Sequence, residues 1–159
     1  MYEKIVPNPI LNFKVVKAYE SFEIGKYTVT ALPAIHARLE AFVYVITDGR
    51  PTLFYSLDTE ILSDEVYGFM KKSGFKIDAV FSDCCFGWLP IERPGTHMSL
   101  IGNVIHRDRL IEAGCADANT KWYLTHFSHN GLFKDGTPMS HEDMSLDAQK
   151  YGMLVAYDG

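Results

Sequence analysis

The chain has 159 residues, enough for one domain built on one sizeable core. With 47% apolar and 22% charged residues it falls outside the disordered and fibrous classes. Twenty acidic against fifteen basic residues give a net charge of −5, and the basic ones come in short groups such as Lys71-Lys72. That excludes a broad nucleic-acid or anionic-membrane surface and leaves room for a small anionic substrate bound locally.

Pro7 and Pro9 make residues 1–12 an irregular entry segment of a single domain spanning 1–159. Phe13 with Val15, and Phe22 with Ile24, alternate as two short strands. After a Gly25-Lys26 turn, Tyr27, Val29, Ala31 and Pro33 continue in a third, which ends at Pro33-Ala-Ile-His36. Ala41 to Ile46 reads as a strand buried on both faces, far too short to cross a bilayer, and Asp48-Gly49 turns the chain into its partner, Thr52 to Leu57. Asp58 follows at once.

Ser63 caps a helix with Asp64 and Glu65 in its first turn, Lys71 and Lys72 in its last, Gly74 beyond it, and Val66, Phe69 and Met70 on its buried stripe. Ile77 to Phe81 is the next strand, closing on Ser82-Asp83 before a long loop marked by Gly87, Pro90, Pro94 and Gly95. A second helix starts near Thr96 or Ser99 and runs to Gly114, with Leu100, Ile101, Val104, Ile105 and Ile111 as its apolar stripe. His97 falls at its start, where free backbone N–H groups favour an anion such as phosphate, although a capping or surface histidine accounts for it equally well. His106 reads as structural.

The run Trp122 to Leu124 is a buried strand leading into Thr125-His-Phe-Ser-His-Asn130. Ser140-His-Glu-Asp143 resembles a capping box opening a last helix that stops at Gly152, and Met153 to Tyr157 forms a final strand. Cys84, Cys85 and Cys115 make an odd count without zinc-knuckle spacing, so reduced thiols serving packing or loops are expected. No signal pattern opens the chain, which makes a cytoplasmic location the default.

His36, Asp58 and His126 share one local context, the carboxyl end of a strand before a loop, and in a layered α/β protein such ends converge on one rim of the sheet. Two imidazoles and a carboxylate suit Zn²⁺, Mn²⁺ or Fe²⁺ with a position open for water. A serine hydrolase is the rival, but no Gly-x-Ser-x-Gly elbow is present.

Taken in order, Pro33-Ala-Ile-His36, Tyr55-Ser-Leu-Asp58-Thr, Leu124-Thr-His126-Phe-Ser-His129-Asn and Ala156-Tyr-Asp-Gly159 resemble the later portion of the metallo-β-lactamase fold. Within it the chain is most similar to the branch of the carbon–phosphorus lyase accessory phosphodiesterase. The resemblance implies the C-terminal part of an αββα sandwich: an α/β (α+β type) mixed sheet with helices on one face. It implies two divalent ions, Zn or Mn, with His36 on the first, Asp58 bridging both and His126 on the second. His97 becomes the catalytic histidine set against a substrate phosphate, while His129 and Asp83 stand behind the ligands or touch substrate.

The implied substrate is a small phosphate ester cleaved by a metal-activated water. The family's leading His-x-His-x-Asp-His motif is absent from this sequence, so each ion keeps two ligands and binding is expected to be weak or lacking, with the chain inactive on its own. Two alternatives stand beside this reading: a non-catalytic interaction module, and a half-site completed in trans. An uncovered apolar sheet face further implies self-association or pairing with another polypeptide.

Overall fold

The computed structural model describes residues 13–89, 95–128, 137–138 and 140–157. They form a seven-stranded mixed sheet whose spatial order is the order of the chain. Strands β1 (Ser21–Ile24), β2 (Tyr27–Pro33), β3 (Phe42–Thr47) and β4 (Thr52–Ser56) are antiparallel neighbours. From β4 onward the pairing is parallel, through β5 (Ala79–Asp83), β6 (Lys121–Thr125) and β7 (Leu154–Val155). Each parallel step is bridged by a helix: α1 (Asp64–Ser73), α2 (Leu100–Glu112) and α3 (His141–Gln149).

Parallel crossovers share one hand, so steps that all move the same way across a sheet put their helices on the same face. The core shows this. Val66 and Met70 of α1, Leu110 of α2, and Met144 and Ala148 of α3 pack with Val43, Val45, Phe54, Val80, Trp122 and Leu124, whose register places them on one side of the sheet. The helices therefore lie on one face, as expected.

The helix ends follow their capping chemistry. The Ser63 side chain accepts from Val66 N–H, and Gly74 adopts the left-handed conformation (φ 70°) that returns its N–H to the Lys71 carbonyl. Ser140 caps α3 by accepting from Asp143 N–H at 3.1 Å.

Several expectations are corrected. Residues 13–18 form no strand, and Phe13 and Val15 are exposed. The strand β3 is buried on one face only: Val43 and Val45 point into the core, while Phe42, Tyr44 and Ile46 are half-buried because no helix covers their side. In α2 the buried face runs through Leu100, Asn103, His106 and Leu110 and leaves Ile101 and Ile111 exposed, because buried partners hold Asn103 and His106 inward. In α1 the third buried residue is Tyr67, with Phe69 half-buried. The strand β5 begins at Ala79, since the Ile77 N–H bonds to the Cys115 carbonyl before the ladder starts, and β7 is only two residues long. Cys84 and Cys115 are buried and all three cysteines are free. Among the described residues no helix is long and apolar enough to cross a membrane.

Candidate metal centre

The carboxyl ends of the parallel strands β4, β5 and β6 lie side by side on one rim, and each delivers a polar residue there. Asp58 follows β4, Asp83 is the last residue of β5 and His126 follows β6. Asp58 (φ 50°) and His126 (φ 62°) both adopt the left-handed region. That conformation is uncommon outside glycine and asparagine and costs backbone energy, so its recurrence at two strand ends marks a place where side-chain direction is imposed. His97 arrives from the loop two residues before the α2 cap, Ser99.

The ligand atoms of Asp58, Asp83, His97 and His126 all lie within 4.8 Å of one another. Asp58 Oδ1 is 3.1 Å from His126 Nε2, and His97 Nδ1 is 2.7 Å from Asp83 Oδ2. Asp83 is wholly buried, whereas Asp58 keeps 54% of its side chain exposed, so the cluster has a closed floor and an open mouth. Asp83 Oδ1 also accepts from the backbone N–H groups of Cys85 (2.9 Å) and Met98 (3.3 Å). A buried carboxylate satisfied in this way is a fixed anchor, and it holds His97 with Nδ1–H toward itself and Nε2 as the remaining ring nitrogen.

His36 is brought to the same rim without joining the four. Its ring meets that of His97 edge-on at 4.8 Å between centroids, and its Nδ1–H donates to the Thr96 carbonyl at 3.0 Å, which again leaves Nε2. An imidazole that spends one N–H on a carbonyl or carboxylate has the arrangement of a metal-bound histidine, oriented and made more basic by its other bond. Of the six residues singled out in the sequence, Asp58, Asp83, His97 and His126 cluster, His36 stands beside them, and His129 lies outside the described residues.

Anion binding by free N–H groups at the start of α2 is limited by use: Met98 N–H goes to Asp83 and Gly102 N–H to the Ser99 hydroxyl.

Sequence reasoning missed Asn103. Wholly buried in α2, it donates to the carbonyls of Asp83 (2.7 Å) and Ser99 (3.0 Å) and accepts from Trp122 Nε1 (3.2 Å). It thereby ties the end of β5, the cap of α2 and the strand carrying His126. The available signal was an amide inside an otherwise apolar helix stripe, four residues after a serine cap. Cys85 lies beside the cluster, its thiol pushed up by burial first and then by Asp83.

Imidazole nitrogens and carboxylates are donors that suit a divalent ion. Asp83 is occupied by His97 and two backbone N–H groups, which leaves Asp58 Oδ1 and His126 Nε2, 3.1 Å apart, as the pair placed to meet one.

A mixed seven-stranded sheet with helices on one face is the metallo-β-lactamase fold over the part this chain spans. Among the solved structures that share it, three stand for the range. One is the metallo-β-lactamase fold protein YhfI from Bacillus subtilis, at 23% identity and TM-score 0.62 over 91% of this chain and 52% of that one. The second is a diphosphatase from the PhnP family, at 22% and 0.62 over 90% and 46%. The third is Zn²⁺-bound PqqB from Methylobacterium extorquens, at 18% and 0.56 over 92% and 50%. The chain thus spans about half the length of the structures it resembles. No family model and no curated protein matches it.

Proposed function

We propose that the chain carries part of the active site of a metal-dependent hydrolase of phosphate esters, phosphodiesters foremost. The observation behind this reading is the gathering of Asp58, Asp83, His97 and His126 within 4.8 Å at one sheet rim. Asp58 and His126 would hold a Zn²⁺ or Mn²⁺ ion, joined by His36, whose Nε2 is left once Nδ1 meets the Thr96 carbonyl. Such an ion lowers the pKa of bound water and neutralises phosphoryl oxygens. Asp83 positions His97, which in its imidazolium form would pass the Nε2 proton to the departing ester oxygen while keeping Nδ1–H on Asp83.

The ligands described here suffice for one ion, and a two-ion reaction draws further ligands from another stretch of polypeptide. The exposed Asp58 carboxylate favours this, since it has a free side on which a second ion can be shared. By itself the 159-residue chain then binds one ion without turning over ester.

Titration calorimetry with Zn²⁺ and Mn²⁺, together with hydrolysis of bis(p-nitrophenyl) phosphate, tests the reading. One ion per chain is expected, with affinity cut at least about tenfold by Asp58→Asn or His126→Ala. Binding that neither substitution weakens would refute the ligand assignment, and metal-dependent turnover by the chain alone would refute its dependence on further ligands.

A further inference from the structure

His36 is held at the rim by bonds that converge on one glutamate. The residue before it, Ile35, has both backbone groups engaged: its N–H donates to Thr59 Oγ1 at 3.0 Å, and its carbonyl accepts from the Glu60 N–H at 2.9 Å. The residue after it, Ala37, donates its N–H to the Gly95 carbonyl at 2.7 Å, and Gly95 donates its own N–H to Glu60 Oε2 at 2.6 Å. The His36 ring completes the set through its Nδ1–H on the Thr96 carbonyl. Among the described residues, Glu60 alone bonds both to the segment before His36 and to the 95–96 segment that receives its ring.

The conformation is imposed on this part of the chain. Ala37 has φ 52° and Gly95 φ 83°, and a positive φ is unstrained for the glycine only, so the alanine is kept there by its surroundings. Glu60 is itself buried, with 5% exposure. Withdrawing a carboxylate from water is costly unless it is hydrogen-bonded, and a charged acceptor makes a shorter and stronger bond than a neutral one. The 2.6 Å contact with Gly95 is of that kind.

We propose that Glu60 is a positioning residue for His36: by fixing Gly95 it sets the Thr96 carbonyl against Nδ1, which holds the ring as the Nδ1–H tautomer with Nε2 bare. Thr96 lies between two fixed residues, Gly95 on Glu60 and His97 on Asp83, so its carbonyl has little freedom to turn. Glu60 follows Asp58 by two positions, and one short segment therefore carries a candidate ligand and directs another. The consequence for metal affinity rests on the reading of this rim as a metal site; the tautomer of His36 does not.

Proton–nitrogen correlation spectra of the imidazole rings, recorded without metal at about pH 8, test the proposal, because there a neutral ring shows which nitrogen is protonated. The parent and Glu60→Gln, whose amide oxygen can still accept from Gly95, should show His36 as the Nδ1–H tautomer. Glu60→Leu should show His36 exchanging between both tautomers. His106, whose Nδ1 accepts from the Tyr67 hydroxyl in the core, should keep its Nε2–H form throughout and serves as the control for general loosening. Zn²⁺ affinity should fall at least about tenfold in the Leu variant and return in the Gln variant. Circular dichroism checks folding. Should the Leu variant not fold, Glu60→Asp, which draws the carboxylate back by about 1.5 Å, takes its place with the same expected result. A His36 that stays Nδ1–H in the folded variant, a parent without that tautomer, a His106 disturbed equally, or a zinc-binding parent whose affinity the variant keeps would each overturn the proposal. A parent that binds no metal would refute the metal reading instead, and the tautomers would still decide the role of Glu60.

Discussion

Acid should destabilise this protein through one buried imidazole. His106 is fully buried in α2 among the rings of Phe54, Tyr67 and Trp122, with Nδ1 hydrogen-bonded to the Tyr67 hydroxyl and Nε2 without a partner among the described residues. Burial, aided by the Arg109 guanidinium, pulls its pKa down to about 3. In the unfolded chain the same group titrates near 6.5. Between those values the unfolded state takes up a proton that the folded state refuses, so stability is full above about pH 6.5 and falls as pH drops. The slope is about 1.4 kcal/mol per pH unit, or roughly 2 kcal/mol between pH 7.5 and 5. Urea denaturation at pH 7.5, 6 and 5, followed by tryptophan fluorescence at one protein concentration, measures it. His106→Phe keeps an aromatic ring in the core and removes the titration, so its loss between pH 7.5 and 5 should be smaller by about 2 kcal/mol. Equal losses in variant and parent would show that His106 is protonated in the folded protein, and the burial argument would fail.

Asn103→Leu preserves volume but leaves the Trp122 indole N–H and the Asp83 carbonyl without their partner, so stability in urea should fall by about 2–4 kcal/mol. Metal affinity should weaken with it, because the end of β5 and the start of α2 lose their tie; a loss under about 1 kcal/mol would contradict the hub assignment. Asp83→Asn can set an amide donor where a carboxylate now accepts, turning the bond to His97 Nδ1 from acceptor to donor and forcing a ring flip or the other tautomer. Proton NMR should then lose a downfield Nδ1–H signal present in the parent, and retention of that signal would exclude the Asp83–His97 pairing.

What the sequence disclosed was local. The cap, charges and left-handed terminator of α1 are all carried by Ser63, Asp64, Glu65, Lys71, Lys72 and Gly74, and all are in place. The rim residues were legible too, since His36, Asp58, Asp83 and His126 each follow or end a short apolar run. What failed depended on partners distant in the chain. In α2, Ile101 and Ile111 looked better suited to the core than Asn103 and His106, but Trp122, Asp83 and Tyr67 satisfy those polar groups inside. The pairing of Asp83 with His97 belongs to the same class: they lie fourteen positions apart, and no local spacing rule joins them.

One topological fact underlies both the candidate metal centre and the helix-free face of the sheet. The chain lays its last four strands down parallel and in sequence, always stepping in one direction. Parallel strands bring their carboxyl ends to one rim, which gathers Asp58, Asp83 and His126 without any local motif joining them. Steps of one hand and one direction also send every crossover helix to the same side, so the side that Tyr55, Phe81 and Tyr123 face carries no helix among the described residues. A doubly wound sheet, reversing direction midway, would have covered both faces. Here one face carries the described helices, and the segment that leads to Asp58 shows both consequences within four positions: Tyr55 faces the helix-free side and Asp58 turns onto the rim.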